Sequence, residues 1–208
     1  LWLDASDASS ITASSGAVSQ WSDKSGNALH VVQATADKQQ GTGSATQNGR
    51  NVLSFDGGAN LEKSSSNIEN IDQTWFFVGQ ADTGGISDYR DSFLTYGGWG
   101  DGKWEFRADD NSNFLGTLVK DGSPQIKGSR ASGSNLAGAY HLFALSFNRT
   151  SSTHSSWMDG TNFENALADN IALSTNQEVR IMGNRSNNPY TLQGKMAEIL
   201  YIKSVADA

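Results

Sequence analysis

Apolar residues along this chain recur in short runs, and clusters of Gly, Asn, Asp and Ser separate them. Twelve runs stand out, at 1–4, 19–22, 30–33, 52–56, 74–80, 92–96, 103–108, 114–119, 140–148, 154–158, 179–183 and 196–203. No stretch of helical length repeats apolar residues at the i, i+3, i+4 spacing of an amphipathic helix. In 103–108, Trp104, Phe106 and Ala108 fall on one face and Lys103, Glu105 and Arg107 on the other. That alternation predicts a strand with one buried and one wet face. In 140–148, His141, Phe143, Leu145 and Phe147 share one face, and Tyr140, Leu142 and Ala144 make the other largely apolar too. Such a strand belongs in the middle of a sheet, with His141 a hydrogen-bonded core residue. So many short strands suit two stacked sheets better than a small barrel, and the pattern predicts an all-β, two-sheet antiparallel β-sandwich. Residues 34–50, 84–90 and 122–138 read as loops.

Composition narrows this picture. The 208 residues fit one sandwich occupying positions 1–208. The chain starts inside an apolar run at Leu1, so it is expected to be a piece of a larger protein, a monomeric module beside other domains. Its apolar runs are too short to cross a bilayer as helices, so no membrane insertion is expected. With 22 Gly, 2 Pro and 18% charged residues, surface polarity rests on hydroxyls and amides, as in turn-rich β proteins. A net charge of −7 disfavours nucleic acid and suits divalent cations. The absence of Cys excludes disulfides, thiolate metal sites and a Cys nucleophile.

Catalytic patterns are sparse. Sandwich glycosidases place acids at alternate positions of one strand, where both flank one glycosidic bond. None of the six glutamates here has an acid two residues away. There is no nucleophile-elbow motif, and the three histidines lack metal-ligand spacing. The expectation is a binding protein, not an enzyme. Glu198 lies among apolar residues and needs a partner, for which Arg180 is the candidate. Trp2, Trp21, Trp75, Trp104 and Trp157 occupy strand-like runs and are expected mostly in the core.

Three segments carry candidate binding chemistry. Asp23, Ser25 and Asn27 alternate around Gly26, a spacing of oxygens that can wrap Ca²⁺. The same residues can instead close an Asx-type turn. Asp88, Asp91 and Asp101 belong to a second acidic group around the Gly97–Gly102 turn and are further candidate calcium ligands. Trp99 in that turn is either an exposed platform for a sugar or peptide, or folded back over the sandwich edge. In the polar segment 184–190, Asn184, Arg185 and Asn187 could bond sugar hydroxyls or a carboxylate, with Tyr190 stacking and Arg107 joining from its strand. An ordinary loop of turn formers is the alternative reading of that segment.

Several elements carry a family resemblance. Leu1-Trp-Leu-Asp-Ala-Ser-Asp7 resembles the start of bacterial laminin-G-like domains, within the concanavalin A-like lectin/glucanase group of jelly rolls. Trp21-Ser-Asp-Lys-Ser-Gly-Asn27, Asn51-Val-Leu-Ser-Phe-Asp-Gly57, the strand 140–147, Met158-Asp-Gly160 and the strand 196–201 resemble later elements in the same order. The resemblance implies a jelly roll and an extracellular or cell-surface location on a bacterium. It implies a calcium-dependent recognition domain of a large adhesin, holding a glycan or a short peptide end. The alternatives are a carbohydrate-binding module of a secreted polysaccharide-degrading enzyme, or a jelly-roll hydrolase or lyase.

Overall fold

Burial alternates residue by residue along 75–81, with Trp75 and Phe77 inside and Phe76 and Val78 half-exposed. A period of two is the mark of a strand with one face on a core. The computed structural model describes residues 1–83, 91–97, 102–109, 114–120, 137–168, 172–183 and 192–204, and the same alternation recurs along 2–4 and 193–202, while 92–96 and 179–181 are buried on both faces. The strands are β1 (Trp2–Asp4), β2 (Ile11–Ser14), β3 (Ala17–Trp21), β4 (Val31–Val32), β5 (Thr46–Gln47), β6 (Arg50–Asn51), β7 (Leu53–Asp56), β8 (Leu61–Lys63) and β9 (Gln73–Ala81). They continue with β10 (Ser92–Tyr96), β11 (Lys103–Asp109), β12 (Phe114–Lys120), β13 (His141–Asn148), β14 (Thr153–Met158), β15 (Thr161–Ala168), β16 (Val179–Ile181) and β17 (Gln193–Ile202). Helix among the described residues is limited to 3₁₀ turns at Ala8–Ser10 and Ala36–Lys38.

Two antiparallel sheets form the predicted sandwich. One runs β1-β17-β9-β13-β14-β15, with β7 beside β1 on the same edge of β17. The other runs β12-β11-β10-β16-β8-β4-β3-β2, and β5-β6 make a small hairpin. The interior is aromatic. Trp75 meets Trp104 edge-on at 5.3 Å between ring centroids, Phe77 meets Phe106 at 5.2 Å, and Phe93 meets Phe143 at 5.0 Å. Each pair joins one sheet to the other and adds about 0.5–1.5 kcal/mol beyond the area it buries. As predicted, β13 lies inside its sheet, between β9 and β14.

Residues 34–50 are more structured than a loop. Gly41 bridges Ala17 on one side and Ser54 on the other, so this segment ties β3 of one sheet to β7 of the other. The sequence gives no strand-like alternation there because the link is a few backbone hydrogen bonds.

Four side chains depart from expectation. Glu105 and Arg107, expected on a wet face, are buried at 1% and 7% exposure. Their charges tolerate this because they pair: Arg107 Nε donates to Glu105 Oε2 at 2.6 Å. His141 is only partly buried, with Nδ1 2.7 Å from an Asp159 carboxylate oxygen rather than in the core. Glu198 does not meet Arg180. The register of β17 shifts between Met196 and Glu198, and this bulge reverses which residues face inward. Met196 and Ile199 are therefore buried, while Glu198 and Leu200 face out.

Gly194 shows how tightly β17 lies against β9. A Cβ there would stand 2.0 Å from the Gln80 carbonyl oxygen, which cannot move without breaking the sheet. Gly194→Ala should cost roughly 3 kcal/mol or more, seen as a lowered urea midpoint. Gly58→Ala, which meets only Asp56 at ordinary contact distance, should leave the midpoint near wild type.

Candidate functional site

The first strand places one tryptophan outside the core. Leu1, Leu3 and Ala5 are buried, so the alternate positions Trp2, Asp4 and Ser6 face out. Trp2 is 38% exposed. Its register partner is Leu200, which faces Phe76, which faces Ala144, which faces Trp157. This in-register row crosses five strands of the outer sheet face, and the neighbouring Leu142 is also exposed.

Trp2 is held rigidly. Its Nε1–H donates to Glu198 Oε1 at 2.9 Å, and Lys24 Nζ sits 4.4 Å from the ring centroid. Lys24 is fixed in turn by Asp4 and Asp7, each at 2.9 Å. Hydrogen bonds from Ser9, then Lys24, pull the Asp7 carboxyl down to about 2.

The wall beside Trp2 is the 23–29 turn. Asp23 Oδ1 accepts from the Trp2 and Ser25 amides at 2.8 and 2.9 Å, and Oδ2 accepts from Ser25 Oγ and the Leu29 amide at 2.8 and 3.0 Å. Burial opposes ionisation of Asp23, but these bonds outweigh it, and its carboxyl titrates below the ordinary 3.8. Ser25 Oγ also accepts from the Asn27 side-chain amide at 2.9 Å. The Asp23 oxygens thus serve the turn, and Asp23, Ser25 and Asn27 form the Asx-type arrangement that is the alternative to a calcium loop. No group of three or more acidic or histidine side chains able to hold a metal occurs among the described residues.

Between this turn and the end of β17 lies an open cleft of about 520 Å³, lined by Trp2, Ser25, Asn27, Asn67, Tyr201 and Lys203. The Tyr201 hydroxyl is buried with no hydrogen-bond partner among the described residues, and burial first, then Tyr96 and Glu69, push it up to about 12. The cleft therefore offers an aromatic rim and apolar walls, with the hydrogen-bonding groups of Ser25, Asn27 and Asn67 and the charge of Lys203.

A second arrangement lies on the outer face of the other sheet. Arg180 Nη2 meets Glu62 at 2.5 Å, and its Nε meets Glu178 at 2.7 Å. Burial, opposed by Arg180 and reinforced by Glu62, raises the Glu178 carboxyl above its usual range. Sequence spacing hides this pair, because Glu62 and Glu178 come from distant parts of the chain and meet only through the β8–β16 register.

The other expected site residues divide as follows. Trp99, Asp101, Asn184, Arg185, Asn187, Tyr190 and Asp88 lie outside the described residues. Asp91 is buried at the start of β10. The residues flanking the Trp99 and Asn184 segments, Gly97 and Gly183, stand at opposite ends of the β10–β16 pair. The signal for Trp2 was present as alternation in residues 1–6, although a strand-like run reads first as core.

No family model matches the sequence, and no curated protein matches it. Solved structures do. A Trypanosoma rangeli sialidase in complex with sialic acid superposes with a TM-score of 0.65 at 15% identity, over 99% of this chain and 31% of that one. An arabinofuranosidase complexed with arabinofuranosyl-α-1,2-xylobiose gives 0.66 at 13% identity, over 92% of this chain and 48% of that one. Domain 4 of AbnA, a GH43 extracellular arabinanase from Geobacillus stearothermophilus, in complex with arabinotriose, gives 0.55 at 9% identity, over 81% of this chain and 77% of that one. The chain spans about a third of the sialidase and half of the arabinofuranosidase. At these identities the likeness is one of fold. It nonetheless overturns the expectation that the chain is not an enzyme, since these neighbours are a sialidase, an arabinofuranosidase and a domain of an arabinanase.

Asp4, Asp7 and Asp23 all titrate lower in the folded chain than the ordinary 3.8. Their stabilisation is present above that value and drains as pH falls from about 4 toward 2. Asp23→Ala strands three backbone donors and should cost roughly 2–4 kcal/mol at pH 7. Thermal melts should show the gap from wild type narrowing between pH 4 and pH 2.

Proposed function

We propose that this domain holds a glycan for a secreted glycan-cleaving enzyme. The observation that carries the reading is the partly exposed, rigidly held Trp2 ring at the rim of a largely apolar cleft that also presents Ser25, Asn27, Asn67 and Lys203. Sugar sites combine an apolar wall with a few convergent polar groups. A sugar ring stacks on the indole, and its hydroxyls bond Asn27, Asn67 and Ser25, each able to donate and accept. The ring is preorganised by Lys24 and Glu198, so little entropy is lost on binding. The fold likeness to sialidase, arabinofuranosidase and arabinanase supports this reading over the calcium-dependent adhesin. The peptide-end ligand has no support from those neighbours.

Titration calorimetry with arabinotriose, arabinofuranosyl-xylobiose and sialic acid tests it. At least one should bind with a Kd between about 10 μM and 1 mM, as weak single sites do. Trp2→Ala should weaken that sugar at least about tenfold, with the domain still folded at the assay temperature by its thermal melt. EDTA should leave binding at this cleft intact. Baseline heats for all three sugars, or wild-type affinity in Trp2→Ala, would remove the cleft from consideration.

The Glu62–Arg180–Glu178 group favours a second reading, in which the domain itself hydrolyses glycosides. A carboxyl raised by burial beside a second carboxylate is the arrangement of a general acid and its partner. On this reading the domain releases 4-nitrophenol from 4-nitrophenyl arabinofuranoside, and Glu178→Gln reduces that rate at least about a hundredfold. Release equal to the buffer blank would rule hydrolysis of that substrate out.

A further inference from the structure

Gln40 is a buried residue with half of its amide engaged. Its side-chain Nε2 donates to the Val18 carbonyl at 3.3 Å, yet its Oε1 is buried with no donor among the described residues. The residue is 1% exposed. Leaving a buried amide oxygen unmet costs about 1–3 kcal/mol, a cost that is relieved when the side chain turns to meet a donor in an adjoining space.

Gln40 lines a second open cleft of about 520 Å³, with Gln39, Ser54, Asp56, Asp82 and Gln193. This cleft sits at the N-terminal end of β17, whereas the Trp2 cleft sits at its C-terminal end. Some eight residues of extended strand separate them, roughly 25 Å at the rise of a β-strand. The segment that carries Gln40 is the one whose Gly41 bridges the two sheets, so the amide is held by backbone bonds on both sides.

The chemistry of this cleft selects its ligand. Asp56, Asp82 and the Gln40 oxygen are acceptors, so the occupant must donate hydrogen bonds. An anion is disfavoured by the carboxylates. A simple cation is disfavoured because Lys195 already pairs with Asp82 in the same wall. A neutral polyol meets both conditions, since each hydroxyl donates and accepts.

We propose that this cleft is a second carbohydrate subsite, in which a sugar hydroxyl donates to Gln40 Oε1, and that the domain is thereby bivalent for glycan. The class of ligand rests on the glycan reading above; the site rests on Gln40 and its cleft.

The test is a heteronuclear NMR titration of the intact domain with arabinotriose, on wild type, Trp2→Ala, Gln40→Met and Gln193→Trp. The last variant fills the cleft from an exposed position, so it remains informative if Gln40→Met fails to fold. The expected result is saturable shifts of the Gln39, Gln40 and Gln193 side-chain amides that persist in Trp2→Ala. Those shifts should weaken at least about tenfold in Gln193→Trp or Gln40→Met. Shifts confined to Asn27 and Asn67 and lost in Trp2→Ala would overturn the second subsite and leave the glycan reading standing. Shifts at Gln40 with none at Asn27 would support the second subsite and overturn the Trp2 cleft. No saturable shift anywhere would overturn both for this sugar class.

Discussion

The pairing of β17 is the constraint on which the rest of the molecule depends. One edge of this strand carries β7 along 193–196 and β1 along 198–200, and the other carries β9 along nearly its whole length. Residues some two hundred positions apart, Leu1 and Tyr201, exchange backbone contacts across it. Contacts between such distant positions form at a large cost in loop-closure entropy, so they must be repaid by the core they enclose. The aromatic pairs between the sheets are that return, and Ile199 and Tyr201 place β17 directly over them. The bulge in the middle of β17 then divides its tasks. Before it, Gly194 and Met196 face the interior; after it, Ile199 and Tyr201 do, and Glu198 and Leu200 are turned outward beside Trp2.

From that geometry the Trp2 cleft follows by a short chain of causes. An exposed indole on an edge strand would ordinarily be mobile and sticky. Here Glu198 takes its N–H, Lys24 lies over its face, and Asp23 bonds the backbone of Trp2 to the adjoining turn. A single carboxylate thus fixes both the platform and the wall beside it. Asp23 does this through hydrogen bonds to its charged form, and such bonds are roughly twice as strong as neutral ones. The polar residues of the motif at 21–27 that suggest a metal loop here close the turn.

The fold was legible because its signal is local. Alternation in 103–108 and 140–148, turn residues between runs and the near absence of helical periodicity are each visible within a few residues. The orientation of Glu198 was not legible, because one bulge reverses the parity of a strand and nothing in Met196-Ala-Glu-Ile marks its place. The burial of Glu105 and Arg107 was hidden for a related reason. Alternation shows which side chains share a face, but not whether the outer face of a sheet stays open. The Trp2 site was half visible: residues 1–6 alternate cleanly, yet an aromatic in a strand-like run is assigned to the core by default. The clustering of Glu62 with Glu178 could not be read at all, since it arises from sheet order.

Weak sites on a rigid strand behave differently from weak sites on loops. The ends of β17 are held at a fixed separation by hydrogen bonds on both edges, so the two clefts cannot drift relative to one another. On the bivalent reading, a glycan bound at one end would experience the other at an effective concentration set only by its own stiffness. Affinity gained this way needs no deep pocket, which agrees with two open clefts of mixed polar, charged and apolar lining. It also favours long polymers over short oligosaccharides, because only a chain that spans roughly 25 Å engages both ends. On the proposed glycan reading, such a domain would keep an extended polysaccharide near the enzyme it serves while each single contact stays weak enough to release it.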